Sequence, residues 1–269
     1  MLDVFNIPGQ QDNVKIFYAT GATAWQTWQK PRNCKFIWMM CIGAGAGGQT
    51  TGTTSAGFGG GSGGVVRALF PANVLPDTLY VQPGVGAVNS TAGRSFVSIA
   101  PSSATVMNLV CISGNSAAVA AGTGETLATV ASANLLSLGT FVAIAGVSNP
   151  NTATITPLTN TITCPGGNGG TPATSVGTNI ASVDLGTFTT PNVSGGTVIG
   201  AGNNSESGTT FWKPLFSLGG GGGNSNNAGV GGRGGDGGIG SGGGGCGGGT
   251  IAGASGGKGG NGLVIITTF

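Results

Sequence analysis

Residues able to carry acid–base, nucleophilic or metal chemistry are scarce in this chain. Histidine is absent, so the commonest general base is missing. The carboxylates are Asp3, Asp12, Asp77, Glu125, Asp184, Glu206 and Asp236. None has the close paired spacing that glycoside hydrolysis would use nearby, although folding could unite distant ones. Cys34, Cys41, Cys111, Cys164 and Cys246 are odd in number and lack any CxxC spacing. A zinc site needs close ligand pairs, so these thiols read as small buried hydrophobes, and disulfides have no support in the spacing.

Three glycine-containing motifs suggest ligand chemistry and fail on inspection. Gly43-Ala44-Gly45-Ala46-Gly47-Gly48 satisfies GxGxxG after a strand. A dinucleotide site also needs a following helix and an acidic residue about 20 positions on, and Gln49-Thr50-Thr51-Gly52-Thr53-Thr54-Ser55 will not make that helix. Gly253-Ala254-Ser255-Gly256-Gly257-Lys258-Gly259 has the wrong length for a P-loop and lacks a Ser or Thr after the lysine. The run from Gly231 through Arg233 and Asp236 to Ile239 is one place out of phase with the calcium nonapeptide and has no second acidic copy. No enzyme, cofactor or metal is expected, because catalysis needs positioned titratable groups.

What must be positioned instead is backbone. More than half of the residues between Gly219 and Gly262 are glycine. Two parts keep a beat of three: Gly231-Gly232-Arg233-Gly234-Gly235-Asp236-Gly237-Gly238-Ile239, and Ser255-Gly256-Gly257-Lys258-Gly259-Gly260-Asn261. That period fits neither an α-helix nor a strand, but it fits the polyproline-II helix, which has three residues per turn and no internal hydrogen bonds. One edge of such a helix carries side chains and two are bare, so neighbours approach and backbone groups pair between segments. A disordered glycine linker is the alternative. Against it stand the near absence of charge and proline, further glycine runs at 43–48, 57–64 and 166–170, and the apolar Leu263-Val264-Ile265-Ile266 that follows. Gly231, Gly234, Gly237, Gly256 and Gly259 are the expected structural framework.

Composition sharpens this. Charged residues make up 6% of the 269, the net charge is +2, and glycine fills 58 positions. A usual soluble domain is about one quarter charged. Much of the surface is therefore small and polar or covered in an assembly. No clustered basic stripe suggests nucleic acid. The N-terminal sequence MLDVFNIPGQQDN does not resemble a secretory leader. Leu127–Val147 is uncharged over a spanning length, but its polar and glycine residues favour a buried hairpin or a short helix plus strand over membrane insertion.

Along the chain, short β segments are expected at 15–18 and 25–28. A strand buried on both faces is expected at 34–42, and others at 65–70, 78–81, 95–99, 107–112, 140–144, 161–163 and 264–268. Gly and Pro turns separate them. The expected fold is mainly β: an antiparallel, jelly-roll-like β-sandwich with packed glycine-rich polyproline/polyglycine-II helices. Residues 1–112 supply sandwich strands and Gly-rich loops. Residues 113–217 form an Ala/Thr/Ser/Asn-rich insertion, and 218–269 hold the glycine region and a closing strand packed with 1–112.

The order of these features carries a resemblance. Trp25-Gln26-Thr27-Trp28-Gln29-Lys30-Pro31 leads into an apolar strand that ends in Gly43–Gly48. Then come 65–70, 78–81 with Pro83-Gly84-Val85-Gly86, and finally Gly259-Gly260-Asn261-Gly262-Leu263-Val264-Ile265-Ile266. The pattern resembles the glycine-rich domains of bacteriophage tail proteins, including tail-fibre tip and receptor-binding proteins. It covers the first hundred residues and the last fifty. It implies a non-enzymatic virion protein, assembled in the host cytoplasm and exposed on the virion surface. Glycine helices would hold loops that touch a host surface glycan or outer-membrane protein. Other virion proteins would be its partners, and a homotrimer its state. Host-contact loops are expected at 49–58, 149–161, 171–179 and 202–212. Within them Gln49, Thr50, Phe58, Asn203, Asn204, Phe211 and Trp212 are the candidates, with core burial the alternative for the last two. A capsid decoration or head-fibre protein is the rival reading. An ice-binding protein is a lesser one, since Arg233, Asp236, Ile239 and Lys258 do not form a regular threonine array.

Overall fold

The structure, a computed structural model, describes residues 13–21, 24–50, 55–105, 108–113, 139–144, 146, 154–155, 162–170, 176–182, 184, 189–196, 202–252 and 254–269. Its strands are β1 (Val14–Tyr18), β2 (Gln26–Gln29), β3 (Phe36–Ile42), β4 (Val65–Pro71), β5 (Thr78–Gln82), β6 (Phe96–Ser98), β7 (Leu109–Ile112), β8 (Thr140–Ile144), β9 (Thr154–Ile155), β10 (Asn179–Ile180), β11 (Thr210–Trp212), β12 (Leu215–Ser217), β13 (Asn226–Val230), β14 (Gly249–Ile251) and β15 (Leu263–Thr268).

Two open antiparallel sheets dominate: β1-β15-β3-β4-β8 and β2-β5-β6-β7. β15 is last in sequence yet sits between β1 and β3, pairing Ile265 with Ile16 on one side and Met40 on the other. The apolar runs of β3 and β15 demand cover on both faces, and they receive it. Ile37, Met39, Cys41, Val66, Ala68, Phe70, Val264 and Ile266 pack in one cluster with Trp28, Leu79, Val81, Val97, Val110 and Cys111 of the smaller sheet. Phe70 and Phe141 add an edge-to-face contact at 5.1 Å. On the opposite face, Met40, Ile42, Val65, Leu263 and Ile265 are covered by Ile162, Trp212, Leu215 and Ile239. The five-stranded sheet is thus a middle layer, and the glycine-rich segments begin where its strands end.

The expected jelly-roll-like sandwich with packed glycine-rich helices is corrected. Neither large sheet closes on itself, and two of the small two-stranded sheets, β9–β10 and β13–β14, are parallel. Among the described residues helical structure is confined to 3-10 turns, of which Ala72–Val74 is described in full. The rows of glycine carry no helix among the described residues; they run as segments whose N–H groups donate to neighbouring segments of the same chain. Glycine's backbone entropy makes it a poor former of internally bonded helices. Of the expected strand at 161–163, Thr163 forms an isolated bridge to Ser217, and residue 161 lies outside the described residues. Of Leu127–Val147, residues 139–144, which hold β8, and 146 are described; the rest lies outside the described residues. No helix among the described residues is long and apolar enough to cross a membrane.

Lys30 holds the β2 end of the smaller sheet to the 3-10 turn. Its Nζ donates to the carbonyls of Ala72 at 3.0 Å and Leu75 at 2.7 Å and pairs with Asp77 at 2.9 Å. The Lys30 side chain is 16% exposed and that of Asp77 is 87% exposed. The carbonyl bonds therefore matter more than the ion pair. Lys30→Met is expected to destabilise by about 2 kcal/mol, since hydrogen bonds to a charged donor contribute most. Asp77→Asn should stay within about 1 kcal/mol, as exposed ion pairs do. Urea unfolding of both variants measures the difference.

Thr267 points the other way energetically. It is fully buried between Val14 and Trp38, and its Oγ1 has no hydrogen-bond partner. Thr267→Val should stabilise by about 1 kcal/mol, because a buried, unpaired hydroxyl carries its desolvation penalty without return. A higher urea midpoint at unchanged slope is the expected result.

Candidate functional site

The glycine region is built around the segment Ser241–Gly248. Its N–H groups donate outward in sequence: Gly242 to Cys164, Gly243 to Ala46, Gly244 to Gly235, Gly245 to Gly167, Cys246 to Gln49, Gly247 to Gly232 and Gly248 to Gly170, at 2.8–3.2 Å. Its carbonyls accept from Gly57, Gly60, Gly220, Gly223, Gly257 and Gly260. Segments at 43–49, 57–60, 164–170, 220–223, 232–235 and 257–260 therefore surround it on every side. Every N–H from Ser241 to Gly248 is satisfied by a neighbour, as burial requires.

This packing explains the sequence. A Cβ on Gly244 would overlap the Gly221 carbonyl, one on Gly242 the Gly60 carbonyl, and one on Gly243 the Gly257 carbonyl. With no outward direction left, the central run must be almost pure glycine. At the rim the rule relaxes to two in three. A Cβ on Gly231 or Gly234 would overlap a carbonyl of the central segment, Gly247 or Gly244. On Gly232 or Gly235 it would overlap Asn203 or Glu206. The third residue of each triplet is more open: Arg233 is exposed, and Asp236 and Ile239 are half-buried. Lys258 occupies the same role in the second tract, where Cβ atoms on Gly256 and Gly259 would overlap the Gly48 and Gly45 carbonyls.

The rejected ligand motifs have other employment. Gly43, Gly45 and Gly48 donate to Gly64, Gly260 and Gly257 at 2.8–2.9 Å, so these three N–H groups are already bonded within the chain. Asp236 Oδ1 accepts from the Arg233 guanidinium and the Lys258 N–H, both at 2.7 Å. The described residues contain no group of three His, Cys, Asp or Glu placed to hold a metal.

The candidate contact residues fall into three places. Asn203 and Asn204 lie on an extended, exposed segment laid along the rim. Asn204 Oδ1 accepts from Arg233 N at 2.8 Å and Ser207 Oγ from Asp236 N at 3.1 Å, while the Asn203 carbonyl accepts from Asn224 N at 3.0 Å. Exposed Asn203, Asn204, Glu206, Ser207, Arg233 and Lys258 thus form a polar strip on a fixed backbone. Gln49, Thr50 and Phe58 sit on another flank. Phe58 N donates to Gln49 Oε1 at 3.3 Å, Thr50 N to Asn89 Oδ1 at 3.1 Å, and Gly256 N to Thr50 Oγ1 at 3.1 Å. Phe58 is 38% exposed. These residues clamp the base of their loop, whose residues 51–54 lie outside the described residues. Phe211 packs against the cluster of Cys164, Ile180, Val193, Phe216 and Leu218. Trp212 covers the five-stranded sheet and meets Tyr18 edge-on at 6.3 Å. The expected contact loop at 149–161 lies outside the described residues except for β9, and so do residues 171–175.

The family model described as a glycine-rich domain matches residues 19–269. The chain belongs to this glycine-rich domain family. No curated protein matches the chain. In this glycine-rich domain, sequence reasoning overlooked the side chains that stand in for missing carbonyls. Asn168 Oδ1 accepts from Gly59 at 2.9 Å, Asn261 Oδ1 from Gly86 at 2.9 Å and Asn179 Oδ1 from Gly195 at 2.7 Å. For Asn168 and Asn261 the signal was an asparagine between glycines, a pairing too common in this chain to stand out, and Asn179, between Thr178 and Ile180, carried none. Asn224 differs: it is fully buried, and neither Oδ1 nor Nδ2 makes a hydrogen bond.

Proposed function

We propose that this glycine-rich domain is a non-enzymatic structural protein of a bacteriophage particle, a tail-fibre or receptor-binding component exposed on the virion surface. The observation that carries the reading is the polar strip of Asn203, Asn204, Glu206, Ser207, Arg233 and Lys258, mounted on a framework whose backbone is bonded on every side. A rigid support presenting amide, hydroxyl and charged groups suits a host glycan or an outer-membrane protein loop, because little ordering entropy remains to be lost on contact. Repeated copies, as in a homotrimer, would turn weak single contacts into firm attachment through avidity.

A capsid-decoration or head-fibre role is the second reading, favoured by a different observation. Phe36, Leu69 and Val142, where the second face of the five-stranded sheet runs beyond the cover of Ile162, Trp212 and Leu215, are 47%, 38% and 53% exposed. An apolar face of that kind suits seating on a shell. Antibody labelling of particles by electron microscopy separates the two. Label at a fibre tip, with adsorption lost in an Asn203→Ala/Asn204→Ala variant that still assembles, supports the first reading. Label over the head supports the second, and no label on any particle removes both.

A further inference from the structure

One cation stands on the second face of the five-stranded sheet with no partner among the described residues. Arg67 of β4 lies opposite Met40 of β3 and Val142 of β8, while Leu69, two residues on, lies opposite Trp38 and Thr140. Its neighbours Val66 and Ala68 turn into the main core, so Arg67 projects from the other face beside Leu69. Phe36, Leu69 and Val142 on that same face are exposed. Arg67 itself is half-buried, and its Nε is sealed from water without a hydrogen bond. The ion pairs of the described residues are Lys30 with Asp77 and Arg233 with Asp236, and neither includes it. The five strands of the sheet hold no Asp or Glu at all. An arginine stem often lies along apolar surface with its head in water. Here part of the head is already withdrawn from water, a cost that a hydrogen-bonded anion would offset.

We propose that this face takes a partner protein presenting an Asp or Glu carboxylate ringed by apolar side chains, the carboxylate on Arg67 and the apolar groups on Phe36, Leu69 and Val142. Charge complementarity carries the argument. A guanidinium is a planar fork that matches a carboxylate through two parallel hydrogen bonds, and its weak hydration suits a contact from which water is expelled. An apolar partner lacking the acid would bury Arg67 unpaired and would be rejected for that reason. An arginine set among aromatic and aliphatic contacts is also the usual energetic centre of an interface. A second copy of this chain, packed face to face about a two-fold axis, would bring Arg67 toward Arg67 and offer no carboxylate from the facing strands. The partner is therefore a different protein. The inference shares its apolar face with the second reading above but does not need that location, because it concerns the partner's chemistry wherever the partner is carried.

The test has two arms, both on the full chain. Arg67→Met removes the charge and keeps the bulk of the stem, so with no partner inside the chain the urea midpoint should hold or rise. A clear drop would mean that a carboxylate of this chain already answers Arg67, and it overturns the proposal. In the second arm a random-peptide display library is panned in parallel on the wild type and on Arg67→Gln. Peptides recovered on the wild type alone are expected to carry one Asp or Glu among apolar residues. Synthesised singly and titrated, they should bind Arg67→Gln roughly tenfold or more weakly, with the same loss when the peptide's acid is replaced by its amide. Failure to recover any peptide specific to the wild type, or recovery of Arg67-dependent peptides without an acid, overturns the proposal. So does a dimer of the chain alone, seen in sedimentation, that Arg67→Gln dissolves, which gives the face to a second copy. Arg67-dependent binding of an oligogalacturonate in place of any peptide gives it to an acidic glycan and overturns it equally. These measurements read binding in solution and not position on a particle, so they and the labelling experiment can fail separately.

Discussion

Gly244→Ala should destabilise the protein by roughly 4 kcal/mol or more, an effect normally reserved for deep core damage. The added methyl would overlap the Gly221 carbonyl, a backbone atom that cannot rotate aside as a side chain could. Gly221 is itself held: it donates to Glu206, accepts from Gly235, and accepts the Ser205 hydroxyl. Gly244 is equally fixed, donating to Gly235 and accepting from Gly257. Relief at one contact therefore breaks bonds at the next, and overpacking that no rotamer can absorb is the severe kind. Gly21→Ala is the control. Its Cβ would meet only the Ala24 methyl at 3.7 Å, an ordinary contact, so the change should stay within about 0.5 kcal/mol. Parallel urea titrations give both values. Similar small losses for the two variants would show that the glycine layer yields, and that its segments are not close-packed.

The same contrast shows what the sequence made legible. The strands at Val65–Pro71 and Thr78–Gln82 could be placed to within a residue, because apolar runs bounded by glycine or proline leave little choice. On the two-in-three glycine beat, a Cβ at Gly231, Gly234, Gly256 or Gly259 would overlap a neighbouring carbonyl. The jelly-roll expectation failed because strand number carries no strand order. Nothing local in Leu263–Thr268 says that it enters between β1 and β3 and leaves the sheet open. The glycine helices failed because a period of three fixes which residues face a neighbour but not what element they form. Phe211 and Trp212 stood among polar neighbours, which left a contact role and core burial both open. They belong to the hairpin β11–β12 and pack half-buried on two clusters, since large aromatic rings gain from burial.

Removing Leu263–Phe269 is expected to abolish cooperative folding altogether. β15 pairs with β1 along its length and with β3 along its length, so its loss strands β1 and opens the centre of the five-stranded sheet. Leu263, Val264, Ile265 and Ile266 are fully buried, two toward each core cluster, and their removal empties both faces at once. At roughly 1.5–3 kcal/mol for each fully buried aliphatic side chain, the four together approach the whole net stability of an ordinary domain. The glycine layer does not escape, because Gly262 N donates to Gly84 and a Cβ there would meet Ile42 and Ser95 at 2.5 Å, which places the end of the tract against the sheet. The truncated chain should therefore show no sigmoidal urea transition and should bind a hydrophobic dye in the absence of denaturant. Adding the missing residues back as a separate peptide tests the cause. Recovery of a cooperative transition would assign the loss to this one central strand. A truncated chain that still unfolds cooperatively would mean that the smaller sheet and the glycine layer hold together without it, and that the five-stranded sheet is not the layer on which the other two depend.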